Sequence, residues 1–399
     1  MRRYGEGVVG VRHAVVVGGG IGGLAAAIAL DRANWRVTVL EQAPVFAEVG
    51  AGITLLANAQ RALRELGLAE VAYADAQPQE AGGLREASGR WLSRYDAGTD
   101  VSSAGTAVIG IHRDSLHRLL REAVPADTLV SDATVTDVQP AGDGHAAVRF
   151  LRAGSQHRVE ADLVVAADGL HSVVRRTLWP QHPGPQYSGI TAWRSVTPAP
   201  QRVEVSASSS WGPGTEFGVV PLADGRVYWF AAMAAREGER AGDELAELRH
   251  RFHTWHQPIP SLLASARPDD VLRHDLYELS RPLKSYVHGS VALLGDAAHA
   301  MTPHLGQGAA QALEDAVVLG RACGPDRPPA DSLAIYDRGR RPRSQAVAKA
   351  SRWAGRLGHE MQHPALVTLR NAVMRRMPPT VAMRAVTRFT RWDPDSLTL

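Results

Sequence analysis

Short, nearly unbroken apolar runs recur at His13 to Val17, Leu163 to Ala167 and Val291 to Leu294, as strands buried on both faces require. Arg36 to Leu40 adds a fourth strand, and the Ala- and Leu-rich stretch Ile21 to Asn34 between the first two reads as a helix. This alternation predicts a Rossmann-like parallel sheet with helices. Further helices are expected at Ala59 to Leu66, at Ile111 to Leu120, where Leu116, Leu119 and Leu120 share one face, and at Ala309 to Leu319. Period-two segments at Thr134 to Gln139, Ala146 to Leu151 and His157 to Glu160 predict a small antiparallel layer, and those around Leu84 and Arg90 to Tyr95 a hairpin joining another sheet.

From about Tyr187 the pattern turns β-rich, with strands expected at Ile190 to Val196, Gln201 to Ser206, Thr215 to Leu222 and Arg226 to Met233. On Thr215 to Leu222, alternation puts Glu216, Gly218 and Val220 on one face and Phe217 and Val219 on the other, leaving open which face is which. Helical period returns at Asp243 to Trp255, and Leu276 to Leu279 leads back toward the first sheet. The C-terminal part reads as a long helix, Ser332 to Leu357, broken near Pro342, and a second from Leu366 to Met377.

The turns carry the chemistry. Gly18, Gly20 and Gly23 form G-x-G-x-x-G between a strand and a helix. Such glycines permit a tight turn, let backbone approach a pyrophosphate and bring the helix close to the sheet. Glu41 follows at the end of the next strand, where a carboxylate accepts hydrogen bonds from ribose hydroxyls. An adenine dinucleotide is therefore expected. Gly295 and Asp296 follow the strand Val291 to Leu294, so a carboxylate stands in the crevice where open α/β sheets bind ligands. The loop Met301 to Gln307, with Pro303 and Gly306, leads into a helix opened by Gly308. Its free N–H groups and positive dipole end favour a ligand that acquires negative charge.

Length, at 399 residues, allows two or more domains, and 45% hydrophobic with 21% charged residues is ordinary globular composition. A net charge of +3 gives no reason to expect nucleic acid. Between Arg338 and Arg391 the only acid is Glu360, but the cations are dispersed among apolar residues and read as a solvated helical face. The single cysteine, Cys323, fits a reducing cytoplasm and reads as a small apolar residue near a helix end. The glycines within the apolar run from Ala14 to Leu30 argue against a signal peptide, so no targeting segment and no stable membrane insertion are expected. The histidines show no ligand spacing for a metal.

Gly18 to Gly23, Asp168-Gly169 within VVAADGLHSVVR, and Gly295-Asp296 followed by Pro303, Gly306-Gln307-Gly308 and Glu314-Asp315 stand in one order. In this the chain resembles the single-component flavoprotein monooxygenases, the family of p-hydroxybenzoate hydroxylase and salicylate hydroxylase. Ala166 stands where that family usually has glycine. The resemblance implies a Rossmann-like FAD-binding domain made of 1–78, 106–185 and 284–345, a β-sheet-rich substrate domain of 79–105 and 186–283, and a C-terminal helical region, 346–399. It further implies that Gly18, Gly20, Gly23, Glu41, Gly52 of the GAGI loop, Arg113, Asp168, Gly295, Asp296, Gly306, Gln307 and Gly308 hold FAD.

The activity it implies is hydroxylation of a small aromatic through a flavin C4a-hydroperoxide, with O2 as oxidant and NADH or NADPH as transient reductant. Glu216, Tyr228, Pro303 and His304 are the candidate catalytic residues, Phe230 a pocket neighbour, and Trp193 and Arg194 weaker candidates. Urate hydroxylases resemble one another in an arginine near Glu216 and an aspartate near His304, and both are missing here. A neutral or phenolic ring, including a polycyclic one, is the expected substrate. Epoxidation of an isoprenoid olefin and flavin-dependent halogenation share the cofactor fold and stay open, although WHQPIP at Trp255 departs from the halogenase W-x-W-x-I-P run. A FAD-holding protein without enzymatic activity also stays open. The chain is expected to be a monomer or homodimer.

Overall fold

The computed structural model describes residues 11–46, 51–95, 108–141, 144–201, 203–378, 381 and 388–396. The expected N-terminal arm, Glu48 to Gly50 of the GAGI loop, the stretch after Tyr95 and Arg202 lie outside the described residues, apart from Val11 and Arg12 of the arm.

In chain order the elements begin β1 (His13–Val17), α1 (Ile21–Arg32), β2 (Arg36–Leu40), β3 (Gly52–Leu55), α2 (Ala57–Glu65), α3 (Ala69–Ala74), β4 (Gln77–Pro78), β5 (Gly82–Glu86), β6 (Trp91–Tyr95), β7 (Ile109–His112) and α4 (Arg113–Glu122). Next come β8 (Leu129–Val130), β9 (Thr134–Pro140), β10 (Ala146–Arg152), β11 (Ser155–Ala161), β12 (Leu163–Ala166), α5 (Val173–Leu178), β13 (Gln186–Pro198), β14 (Ala207–Gly212), β15 (Thr215–Pro221) and β16 (Arg226–Ala234). The remainder is α6 (Glu244–Phe252), α7 (Ile259–Ser265), β17 (Leu272–Glu278), β18 (Val287–His288), β19 (Val291–Leu293), α8 (Asp296–His299), α9 (Gly308–Ala322), α10 (Pro329–Gly355) and α11 (Pro364–Arg376), with a π-helical segment, Arg356–Glu360, between the last two.

The apolar runs assemble as expected. A six-stranded sheet has the order β18-β19-β12-β1-β2-β8, parallel throughout except for β18. Its central strands β1 and β12 are buried at every position. Helices α1 and α9 pack closely because their contact is made of small residues: a Cβ on Gly320 would come within 2.9 Å of the Ala29 carbonyl oxygen. Burying each large aliphatic side chain in this core contributes roughly 1.5–3 kcal/mol, and the core runs continuously from Ala14 to Trp392.

A second, seven-stranded sheet, β17-β13-β16-β15-β14-β5-β6, takes strands from two stretches of the chain, residues 82–95 and 186–278. One face packs Trp193, Phe217, Val219 and Trp229 against α6 and α7. The other carries Glu216, Tyr228 and Phe230 toward the first sheet. Alternation left the facing open, and the apolar backing helices decide it: Phe217 and Val219 go to the core, so Glu216 goes to the cleft.

Several expectations need correction. The strand placed at Gln201 to Ser206 is absent over the residues described there; β14 starts at Ala207 instead. QRVEVS alternates, but ASSSWG has partners, since Ser209 Oγ donates to Glu216 and Ser210 Oγ lies 2.7 Å from His256 Nε2. Leu276 belongs to β17, an edge of the second sheet, rather than to a return to the first. Helix α4 begins at Arg113, because Ile111 and His112 pair with Ile53 and Gly52 in β3. Helix α10 runs through Pro342 and residue 345 without a break. The missing proline N–H costs about 3 kcal/mol or more in an isolated helix, and here ionic contacts of Arg340 before it and of Arg343 after it, described below, hold the helix.

Candidate active site

Between the carboxyl ends of the parallel strands and the inner face of the seven-stranded sheet lies a cleft of about 370 Å³. Gly20, Gly52, Arg113, Glu216, Tyr228, Gly295, Asp296, Pro303, His304, Gly306, Gln307 and Gly308 line it, together with Arg194, Phe230 and Met301. Gly18, Gly23, Glu41 and Asp168 are not among its lining residues.

The glycine turn is built for close approach. Gly18 has φ +100°, and a Cβ there would lie 2.4 Å from the Ala167 carbonyl oxygen; one on Gly23 would lie 1.9 Å from the Gly18 oxygen. Both glycines are thus needed to seat α1 against the strand ends, with Gly20 as its N-cap facing the cleft. Glu41 accepts from the Gly19 N–H at 2.6 Å and from the Ala43 N–H at 2.8 Å. Each carboxylate oxygen keeps a lone pair for a hydroxyl. Asp168 accepts from the Val174 N–H at 3.2 Å and so steadies the start of α5, and burial pushes its carboxyl above the usual range.

Arg175 ties two motifs together. Its buried guanidinium donates to the Leu170 carbonyl beside Asp168-Gly169 and, at 2.8 Å, to the Ala297 carbonyl beside Gly295-Asp296. The turn at Gly295, with φ +61°, then delivers Asp296 to the cleft.

Behind the loop of Pro303 to Gly308 lies a sealed polar cluster. Arg340 is fully buried; it donates to Glu314 at 2.5 Å, to Asp315 at 2.6 Å and to the Gln311 side chain at 2.8 Å. Arg343 also donates to Glu314, at 2.6 Å. Asn58 on α2 donates to Gln307 Oε1 at 2.8 Å and to Glu314 at 2.7 Å. Asp315 accepts from the Gly295 N–H at 3.0 Å and meets His299 at 2.6 Å. Burial pushes the Asp315 carboxyl up, but His299 and Arg340 outweigh it and hold the group below the ordinary value. The Gln307 side chain is therefore turned into the cluster, away from the cleft that Gly306 and Gly308 face. A Cβ at either glycine would meet nothing within 4 Å.

The opposite wall consists of side chains. Glu216 accepts from Ser209 Oγ, and its Oε2 lies 3.8 Å from His304 Nδ1, with both side chains almost fully buried. His304 is seated against α10 where a Cβ on Gly355 would come within 2.6 Å of its ring. The Tyr228 ring covers Gly52, whose Cβ would fall 2.3 Å from Tyr228 Cγ. Burial raises the Tyr228 hydroxyl above its usual value, and Arg194 and Arg113 partly offset this. Phe230 lies across Gly218 in the same way. Trp193 faces away from the cleft, its Nε1 donating to Glu244, whereas its neighbour Arg194 faces in.

Sequence reasoning missed Asn58 and the burial of Arg340. Arg340 sits in the arginine-rich run read as a solvated face. The only local signal was Glu314-Asp315, two adjacent acids within the apolar middle of a helix, which require a cation if buried.

Residues 12–351 match the family described as FAD binding domain. The chain belongs to the single-component FAD-dependent monooxygenases. It is 38% identical over 365 residues to aurachin C monooxygenase/isomerase of Stigmatella aurantiaca, covering 91% of this chain and 94% of that one. It is 32% identical over 372 residues to 2-heptyl-3-hydroxy-4(1H)-quinolone synthase of Pseudomonas aeruginosa, covering 91% and 94%. Among solved structures, Klebsiella pneumoniae HpxO complexed with FAD and uric acid superposes with a TM-score of 0.87 at 26% identity, covering 95% of this chain and 96% of that one. The glycine cradle at Gly18, Gly20 and Gly23 and the open loop at Gly306 and Gly308 fit the dinucleotide and ring of FAD, so the residues present agree with the family.

Proposed function

We propose that this flavoprotein monooxygenase hydroxylates a neutral or phenolic aromatic, including bicyclic rings of the quinolone kind, in the pocket between Glu216 and His304. The observation that carries the reading is this buried pair, 3.8 Å apart and joining the sheet wall to the loop wall. FAD, reduced by NADH or NADPH, supplies the activation of O2 and the transfer of one oxygen atom. The protein's own residues hold the cofactor, orient the ring and keep water out.

On the cofactor side, Gly18, Gly20, Gly23 and Glu41 hold the adenine nucleotide end, Arg113, Asp168 and Asp296 the central hydroxyls and phosphates, and Gly52, Gly295, Gly306 and Gly308 the ring. Gln307 contributes its backbone and anchors the loop through its side chain. On the substrate side, Glu216, fixed by Ser209, accepts a hydrogen bond or proton from the substrate hydroxyl directly or through His304. Loss of that proton makes the ring a stronger nucleophile. Tyr228 keeps its proton, because burial raises its hydroxyl, and so donates a hydrogen bond to the substrate. Pro303 fixes the approach of His304, and Phe230 covers the apolar flank. A carboxylate in this position disfavours an anionic purine.

The reading includes a FAD-binding domain of 1–78, 106–185 and 284–345, a substrate domain of 79–105 and 186–283, and a helical region of 346–399; the separate six- and seven-stranded sheets support the first division, whereas the boundary after residue 345 falls inside α10. A cytoplasmic location and a monomer or homodimer complete the reading. The relatives' names speak for ring oxygenation rather than olefin epoxidation or halogenation. The test is NADH and NADPH consumption by the yellow protein across phenols, hydroxyquinolones and olefins, with peroxide recorded. Coupled turnover of a phenol or quinolone is expected; turnover of olefins alone would overturn the substrate class.

A further inference from the structure

Gly355 is not required by the helix that contains it. It has φ −58° and ψ −46°, a helical conformation open to any residue, and glycine within a helix costs roughly 0.5–1 kcal/mol relative to alanine. What it provides is room: a Cβ there would lie 2.6 Å from Cδ2 and from Nε2 of His304 and 3.4 Å from Cε1. The imidazole therefore rests with its Nε2 edge against the backbone of α10, and Nε2 is buried. The opposite edge turns Nδ1 toward Glu216 Oε2, 3.8 Å away. Turning the ring over would set a C–H against the carboxylate in place of a nitrogen, so Glu216 selects this orientation.

The seat is held from both sides. Ser351, one helical turn before Gly355 and buried like it, donates its Oγ to the Thr302 carbonyl at 2.6 Å. Thr302 leads directly into Pro303 and His304, and α10 itself is anchored through Arg340 to Glu314 and Asp315. The ring thus cannot back away from the helix without breaking one of these contacts. Across the gap, Ser209 Oγ donates to Glu216 Oε1, and Oε2 is the oxygen that faces His304. At 3.8 Å that pair is farther apart than a hydrogen bond. A relay through an imidazole takes a proton on one ring nitrogen and gives it up from the other. With Nδ1 directed at Glu216, the receiving nitrogen would be Nε2, and α10 covers it.

We propose that Gly355 is a positioning residue: by seating the His304 ring it turns Nδ1 to Glu216 and closes Nε2, so the substrate proton goes to Glu216 directly and not through His304. In that step the substrate O–H bond breaks, its electron pair stays on the substrate oxygen, and the proton bonds to Glu216 Oε2. His304 keeps its own proton on Nδ1 and orients the carboxylate. The inference rests on the function proposed above and chooses between the two routes that function allows.

The test is NMR of the flavin-loaded protein with isotope-labelled histidine, in which His304→Gln identifies the His304 ring nitrogens. The wild type is expected to carry the proton on Nδ1. In Gly355→Ala the two nitrogen signals should move toward the average of the two tautomers, with flavin content unchanged. Ser351→Ala, which frees the loop without adding an atom, should move them the same way and serves if Gly355→Ala does not fold. A proton on Nε2 in the wild type, or His304 signals that neither variant moves, overturns the proposal. Turnover is then measured with 1-naphthol and 4(1H)-quinolone. Gly355→Ala should lower kcat roughly fivefold but change nothing further in a His304→Gln background, as two residues acting through one contact require. His304→Gln alone should lose roughly tenfold, against roughly 10²-fold for Glu216→Gln. Equal losses in those two variants, or an additive effect of Gly355→Ala, overturn the direct route. Should neither probe be turned over, the substrate class proposed above falls, while the nitrogen signals still decide the role of Gly355.

Discussion

The two walls of the cleft are made in different ways. The wall that faces the sheet is mostly backbone: glycines at 20, 52, 295, 306 and 308, held from behind by Arg175 and by the cluster around Arg340. The opposing wall is mostly side chains: Glu216, Tyr228, Phe230 and Arg194 stand on a sheet whose far face is packed by α6 and α7, and His304 meets them from the loop. A wall of backbone has little freedom to vary, because a single Cβ at Gly23 or Gly18 collides with main chain. A wall of side chains can be rebuilt one residue at a time without touching the fold. On the function proposed above, cofactor identity belongs to the first and substrate choice to the second.

The comparison is most easily broken at Arg340. Arg340→Leu leaves Glu314 and Asp315 buried without their main cation, and removing one partner of a buried ionic cluster costs roughly 3–5 kcal/mol. The expected result is a lower denaturant midpoint together with loss of bound flavin. Normal flavin content at unchanged stability would show that the loop does not depend on the cluster. Glu216→Gln should do the converse, retaining flavin and stability while product formation falls roughly 10²-fold. Should flavin be lost as well, the two walls are not independent.

Gly52 sits at the seam, beneath the Tyr228 ring. Gly52→Ala is expected to push that ring into the cleft at a cost of roughly 1–3 kcal/mol, read as a lower Tm and a higher KM with less change in kcat. The smallest effect concerns pH. Asp315 has its folded value held below the ordinary 3.8, so its contribution to stability is complete above 3.8 and drains as pH falls below it toward the depressed value. Denaturation followed from pH 5 downward should therefore show wild type losing stability more steeply than Asp315→Asn. Parallel curves would mean that His299 and Arg340 do not hold the ionised form.

The first wall was legible in the sequence because its requirements are local. A strand, a glycine turn and a helix need particular residues at fixed spacings, and Gly18 to Gly23, Glu41 and Gly295-Asp296 satisfy them within single βα units. Glu216, Tyr228 and His304 could be named but not faced, since a period of two gives two faces and only the packing of Phe217 and Val219 under α6 and α7 chooses between them. The cluster of Asn58, Glu314 and Arg340 had no local signature. Its members come from three helices, and an arginine among arginines gives no sign that it is the buried one. Pro342 and the Ser208 to Ser210 stretch of β14 misled in a related way: intrinsic preference opposed the element, and tertiary partners overrode it.

The Asn58, Glu314 and Arg340 cluster also bears on the order of synthesis. Its components leave the ribosome far apart in time: Asn58 has no acceptor until Gln307 and Glu314 emerge, and Glu314 has no arginine until the segment through Arg343 has been made. The nascent sheet can collapse early, because β1, β2 and β12 are already present, but its ligand cradle stays open at the back until the last seventh of the polypeptide is being made. Cofactor capture is therefore a late event in the life of each new molecule, and a chain cut short before α10 would be left with a mature-looking sheet and nothing yellow in it.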